Sequence, residues 1–286
     1  MNNSKMKKLT SKMKRIGPKV KQILWFVRDW GVRDSIETLL CIIAGRLLER
    51  GLYKTKVPTL STLYKSAEAV FTNPDELLKL IFDIDAQDLA TLHRQYDDAR
   101  TEVLRRYEDR SLPFPRLWAV EEGSAFLLYA ITRLTRPSTV LETGVANGHS
   151  SFLMLNALDH NAKPGELHSV DISPKAGQLI DSTERTRWHL HLLSLAALKK
   201  SFQDILARLA PIDILLHDSD HTYRWIDFEL EAALPKMSPS GILLCDDADL
   251  SFALIDFCRA HALKPILLVD TRKVFAVIPL RSLKGA

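Results

Sequence analysis

Cysteine is scarce in this chain: three residues in 286, Cys41, Cys245 and Cys258, scattered and odd in number. Such spacing supplies neither a disulfide framework nor a thiolate metal site, and it suits a reducing compartment. The expected location is cytoplasmic. Long apolar runs are also missing, since Leu39 to Ala44 is too short and too closely flanked by charge to span a bilayer. The apolar stretch near Ile23 is broken by Arg28 and Asp29, which argues against a secretory signal. No internal repeat occurs, and no low-complexity segment beyond one basic block. The most lopsided absence is of negative charge: no Asp or Glu precedes Asp29, while lysine and arginine crowd Lys5 to Lys21.

That block lies within a net charge of only +4, so the rest of the chain is near neutral or acidic. Charge runs of this kind are solvated, which predicts a flexible tail over residues 1–34. Ile23, Leu24, Trp25, Phe26 and Trp30 follow directly and would suit an interfacial helix. The expected partner of the tail is an anionic membrane surface, met peripherally. Nucleic acid is not the expected partner, because the basic run lacks an ordered aromatic platform.

Residues 35–110 read as a helical extension. Ile36, Leu39, Leu40, Ile43 and Leu47 recur at helical spacing before Gly51, and Asn73-Pro74 opens a second helix. Asp88 to Arg110 is a long charged helix with a sparse apolar face of Leu89, Leu92, Tyr96 and Val103. These helices are expected to pack on the following domain or on a second subunit as a homodimer. Ser111 to Pro115, S-L-P-F-P, marks the boundary of a domain over residues 111–286.

From there the pattern alternates. Strands are expected at Thr139 to Glu142, Leu167 to Asp171, Trp188 to Leu192, Ile212 to Asp218 and Gly241 to Asp246, with helices Val120 to Leu134, Ser151 to Leu158, Pro174 to Thr183, Leu195 to Leu209, Tyr223 to Leu234 and Phe252 to His261 around them. Two final strands, Pro265 to Val269 and Val274 to Ile278, are joined by Asp270 to Lys273. Helices between strands imply a parallel sheet, and the short last connection implies an antiparallel hairpin at its edge. The fold class is therefore α/β: a Rossmann-like, mostly parallel seven-stranded sheet with an N-terminal helical extension.

Val140 to Ser151, V-L-E-T-G-V-A-N-G-H-S-S, reads as strand, tight loop and helix. Gly144 and Gly148 let backbone approach a ligand, and the N–H groups opening the next helix favour an anionic group. The glycines are four apart, which is not the dinucleotide fingerprint G-x-G-x-x-G. Glu142, Asp171, Asp218 and Asp246 each close an expected strand on the carboxyl edge, where ligands of open α/β sheets bind.

The E-x-G-x-x-x-G-x-S loop resembles motif I of class I S-adenosylmethionine methyltransferases, and the expected strand count is that of their fold. The resemblance implies that Glu142, Gly144, Gly148 and Ser150 hold the methionine end of the cofactor and that Asp171 accepts hydrogen bonds from the ribose hydroxyls. Relatives often carry G-D-S beside the adenine; this chain has W-H-L-H-L-L-S-L, leaving Ser194 as a loose candidate. His189 and His191 lie two apart, a spacing that can bind a metal, although packing is the commoner reason for it.

I-D-I-L-L-H-D-S-D-H-T-Y and G-I-L-L-C-D-D-A-D would bring Asp218, Asp246 and Asp247 together if their strands are neighbours, giving three hard oxygen donors suited to Mg²⁺. These pieces resemble the metal-dependent O-methyltransferases, including the catechol, caffeoyl-CoA and bacterial sugar enzymes, over roughly Glu121 to Pro279. The resemblance implies methyl transfer to a hydroxyl of a small molecule or glycan, with Mg²⁺ or a similar cation on those three acids. It places a base at His221, where catechol-type enzymes have lysine, or at Asp220, where sugar enzymes have aspartate. Two alternatives stand beside it: a nicotinamide-dependent oxidoreductase, which should carry G-x-G-x-x-G, and a non-catalytic nucleotide-binding protein of the same fold. Amino-methylating enzymes are disfavoured, because no N-P-P-Y-like sequence is present.

Overall fold

A computed structural model describes residues 57–281 except residue 164. The basic tail, its aromatic neighbours and the helix expected from Ser35 to Arg50 lie outside the described residues. No described helix is long and apolar enough to cross a membrane.

Short apolar runs form the strands, and amphipathic stretches form the helices between them. In order these are α1 (Leu60–Ser66), β1 (Ala69–Phe71), α2 (Pro74–Ile81), α3 (Ala86–Asp109), α4 (Glu122–Thr135), β2 (Thr139–Thr143), α5 (His149–Asp159) and β3 (Glu166–Asp171). There follow β4 (Trp188–Leu192), α6 (Leu198–Arg208), β5 (Ile212–His217), α7 (Tyr223–Ala233), β6 (Met237–Cys245), α8 (Ala253–Ala260), β7 (Ile266–Val269) and β8 (Val274–Pro279). Local chemistry sets several starts. Asn73 accepts from Asp75 N at the head of α2, with Pro74 at the first helical position, and Asp85 caps α3 through Asp88 N.

The strands make one eight-stranded sheet in the order β1-β7-β8-β6-β5-β2-β3-β4. Every pairing is parallel except those of β8, which runs antiparallel to β6 and β7. The expected sheet had seven strands; the eighth is β1, three residues inside the stretch read as purely helical, paired to the outer side of β7. Too short to show a period of two, it could not be told from a loop.

Both faces of the sheet are covered, so alternate residues enter different cores. In β8, Phe275 and Val277 join the layer containing α3, α4 and α5, while Val274, Ala276 and Ile278 join that of α6, α7 and α8. Burial on both faces explains the continuous apolar runs.

The helix expected from Pro174 to Thr183 does not form; turns occupy the stretch, followed by a 3₁₀ turn at Glu184–Thr186. Its carbonyls are claimed from outside: Arg106 Nη1 donates to Leu179 O at 2.7 Å and Arg110 Nη1 to Gln178 O at 2.8 Å. Gly177 has φ +77, and a Cβ there would lie 2.1 Å from the Trp188 ring. Arg106 is almost fully buried and also meets Glu102 and Glu184, so α3 pins the loop that crosses the sheet edge after β3.

Candidate functional site at the carboxyl edge

Four central strands end level with one another. Thr143 pairs with Val170 and with His217, and His217 pairs with Cys245, which brings Gly144, Asp171, Asp218 and Asp246 side by side at the carboxyl edge of the sheet. Gly144 is dictated by this packing: its φ is +82, and a Cβ would stand 2.0 Å from the backbone oxygen of Asp218. The two loops thus touch through backbone.

Glu142 does not close its strand, which runs on to Thr143. Its side chain is fully buried and accepts from Ser150 Oγ and Ser151 Oγ at 2.5 Å each and from Ser169 Oγ at 2.7 Å. Burial raises its pKa, opposed by the three hydroxyls. Ser150, expected to face the cofactor, therefore spends its hydroxyl on Glu142. Gly148 has φ +90 at the N-cap of α5, with no side chain capping that terminus. Unused N–H groups at a helix start suit an anionic ligand. Between the glycines, Ala146 is also left-handed, with φ 46. Asn147 bridges both backbone groups of Phe114, fastening the loop to S-L-P-F-P.

Asp171 ends β3 facing this loop. Its Oδ2 accepts from Val145 N at 2.9 Å and Ala146 N at 3.3 Å, and its Oδ1 from Ser173 N at 2.7 Å. It shapes the glycine loop rather than capping a helix after Pro174. A carboxylate offers about four lone-pair positions, so capacity remains for a ligand hydroxyl. Burial raises its pKa, against those backbone donors. Ser194 lines a groove of about 520 Å³ shared with His191, Lys200 and Arg208.

The acids after β5 and β6 enclose a lysine. Lys273 Nζ lies 2.5 Å from Asp246 Oδ2 and 3.2 Å from Asp247 Oδ2. β7 brings the chain up to the carboxyl edge, where antiparallel β8 begins, and the hairpin between them is held by Asp270, which accepts from Ser124 N at 2.7 Å, and by Arg272 on Glu121. Burial lowers the Lys273 pKa, but Asp246, Asp218 and Asp247 outweigh it and the net shift is upward. Asp218 is pushed well up by burial and by Asp246. Asp247 is raised for the same two reasons, and it holds a left-handed backbone with φ 51. Strain of that kind collects where a side chain must be aimed.

His221 sits against this cluster, with Nε2 3.2 Å from Asp247 Oδ2 and 3.7 Å from Asp218 Oδ1. Burial, then His217, pulls its pKa far down, so the ring is neutral near pH 7. A proton assigned to Nε2 faces the carboxylates; Nδ1 is then a basic nitrogen, buried and without a hydrogen-bond partner. Asp220 is exposed and accepts from Thr222 Oγ1 at 3.2 Å. Beneath them His217 Nδ1 meets Glu229 Oε2 at 2.5 Å, and Glu229 also accepts from Thr143, Ser219 and Trp225. Lys273, His217 and Glu229 were missed by sequence reasoning. For Lys273 a signal existed: the expected antiparallel hairpin, placed beside β6, carries it back to Asp246.

The implied divalent cation can be tested against these residues. The donors are all oxygen, and Asp246 Oδ1 is buried with no partner, an orphan that such an ion would satisfy. The donor chemistry fits, although Lys273 already contributes one positive charge and the ligand oxygens of the three acids do not all lie within 4.8 Å of one another.

Residues 141–248 match the model of a family described as "Methyltransferase domain". The likeness runs from β2 to the turn after β6. The matched stretch contains the glycine loop, Asp171 and all three clustered acids. No curated protein matches the chain. Among solved structures, the O-methyltransferase from Bacillus cereus in complex with S-adenosylhomocysteine is similar at 14% identity and TM-score 0.49, over 72% of this chain and 96% of that one. The O-methyltransferase TomG from Streptomyces achromogenes, in complex with S-adenosylmethionine, is similar at 19% identity and TM-score 0.47, over 74% and 97%.

Proposed function

We propose that the methyltransferase domain moves the sulfonium methyl of S-adenosylmethionine to a hydroxyl oxygen of a small molecule or sugar. The observation that carries this reading is the single edge on which a glycine loop, an acid cluster with an orphaned oxygen and a neutral histidine meet. The loop from Gly144 to Gly148 and the start of α5 receive the cofactor's carboxylate, and Asp171 receives its ribose. The acceptor hydroxyl attacks the methyl carbon in line, the carbon–sulfur bond breaks with its electron pair going to sulfur, and S-adenosylhomocysteine leaves. The hydroxyl proton passes to His221, oriented by Asp247; Asp220 is the other base position. Holding the two reactants in line accounts for much of the acceleration in such a site. Asp218, Asp246 and Asp247 would hold Mg²⁺ or a similar ion, which when bound stabilises negative charge on oxygen.

The test is turnover of labelled S-adenosylmethionine against hydroxylated sugars and phenols, with and without chelator. Asp246→Ala and chelation should both abolish turnover while cofactor binding survives. Full activity in excess chelator would remove the cation from the account, and the absence of any methylated hydroxyl product would remove the O-methyl reading.

A further inference from the structure

At the opposite end of β3 from Asp171, a second cluster faces outward from the last two strands. Parallel register sets His168 beside His189 and Val170 beside His191, and β4 is the terminal strand of the sheet. Strand alternation puts Glu166 on the same face as His168, and His191 on the same face as His189. Four chemistry-bearing side chains therefore share one small area.

We propose that Glu166, His168 and His189 form a binding site for a divalent transition metal of the zinc class. Glu166 Oε2 lies 3.7 Å from His168 Nε2 and 3.5 Å from His189 Nε2, and all three ligand atoms are within 4.8 Å of one another. Around a tetrahedral ion with bonds of about 2.0–2.2 Å, ligand atoms stand roughly 3.3–3.6 Å apart. Two of the spacings are close to that range. They are also too long for good charge-assisted hydrogen bonds, and His189 Nε2 is a buried nitrogen with no hydrogen-bond partner.

His191 completes the arrangement from behind. Its Nε2 is 3.1 Å from His168 Nδ1. With the His168 proton on Nδ1 and directed to His191, the Nε2 lone pair is turned toward Glu166, the orientation by which ligating histidines are normally held. The His168 and His189 rings stack at 4.8 Å. Two imidazoles and one carboxylate without thiolate make a borderline donor set, unlike the all-oxygen cluster at the carboxyl edge. Glu166 is exposed, which leaves the fourth position to water. An ion here would clip the edge strand β4 to β3.

The experiment uses the untagged full chain, stripped with chelator and titrated with Zn²⁺ by calorimetry. Co²⁺ absorption provides an independent readout of nitrogen and oxygen coordination. Wild type should bind one Zn²⁺ that is insensitive to Asp246→Asn. Glu166→Gln, His168→Gln and His189→Gln should each weaken that binding by about 100-fold or more, and His191→Ala by roughly 10–100-fold. Circular dichroism matching wild type would show the variants folded, and the exposed Glu166→Gln keeps the test sound if a histidine variant fails to fold. No Zn²⁺ on wild type, or equal binding by wild type and folded Glu166→Gln and His189→Gln, would overturn the proposal.

Discussion

Lys273 Nζ lies 2.5 Å from Asp246 Oδ2, inside the group of acids proposed to hold a divalent cation. Asp246 has no exposed side-chain surface and Lys273 has 12%, so the pair is an internal counter-charge rather than a surface bridge. Removing one member of a buried pair typically costs about 3–5 kcal/mol. Lys273→Met should therefore lower the melting temperature without metal, and Mg²⁺ should restore more of it than in wild type. Calorimetric titration should show tighter Mg²⁺ binding by Lys273→Met, since lysine and cation compete for the same oxygens. Equal affinity in the two proteins would mean that they do not compete.

The two base positions differ in environment. His221 is largely enclosed beside Asp247, whereas Asp220 is exposed. Desolvation keeps His221 in its neutral form, and positioned bases contribute roughly 10²–10⁴ in rate. His221→Ala should lower kcat by about 100-fold or more, with cofactor affinity unchanged, and Asp220→Asn should lower it less. Steady-state kinetics on both variants decides. An unaffected His221→Ala enzyme would pass the role to Asp220.

Much of this architecture is legible because strands buried on both faces leave short apolar runs, each followed by polar residues at the carboxyl edge. Trp188 to Leu192 matches its strand residue for residue, and the expected meeting of Asp218 with Asp246 follows from β5 lying beside β6. What failed was long-range. Pro174 to Thr183 has a helix-opening proline and adequate composition, but its carbonyls bind two arginines, one within α3 and one just past its end, some seventy positions earlier. Ser150 satisfies a local motif, yet its hydroxyl belongs to the buried Glu142. The same motif that marks the loop cannot say which way a hydroxyl turns.

Acid should weaken the fold through His149. Burial, then Arg116, brings its pKa from 6.5 to about 4, and its ring lies 5.6 Å from that of Tyr107. Between those values the unfolded chain takes up a proton that the folded chain refuses. Its contribution to stability is thus complete above about pH 6.5 and lost progressively as pH falls toward 4. Replacing it by His149→Gln removes this dependence, and contributions of other groups cancel in the comparison. Melting temperatures of both proteins across that window should converge or cross on acidification. Parallel curves would show that His149 is not the group responsible.

The central claim is that the glycine loop and Asp171 receive S-adenosylmethionine, and isothermal titration of the full chain tests it most directly. S-adenosylmethionine and S-adenosylhomocysteine should both bind saturably at one site. Asp171→Ala should weaken both together, because the ribose is common to them, while NAD should give no heat of binding. Saturable NAD binding with no response to either sulfur ligand would contradict the account.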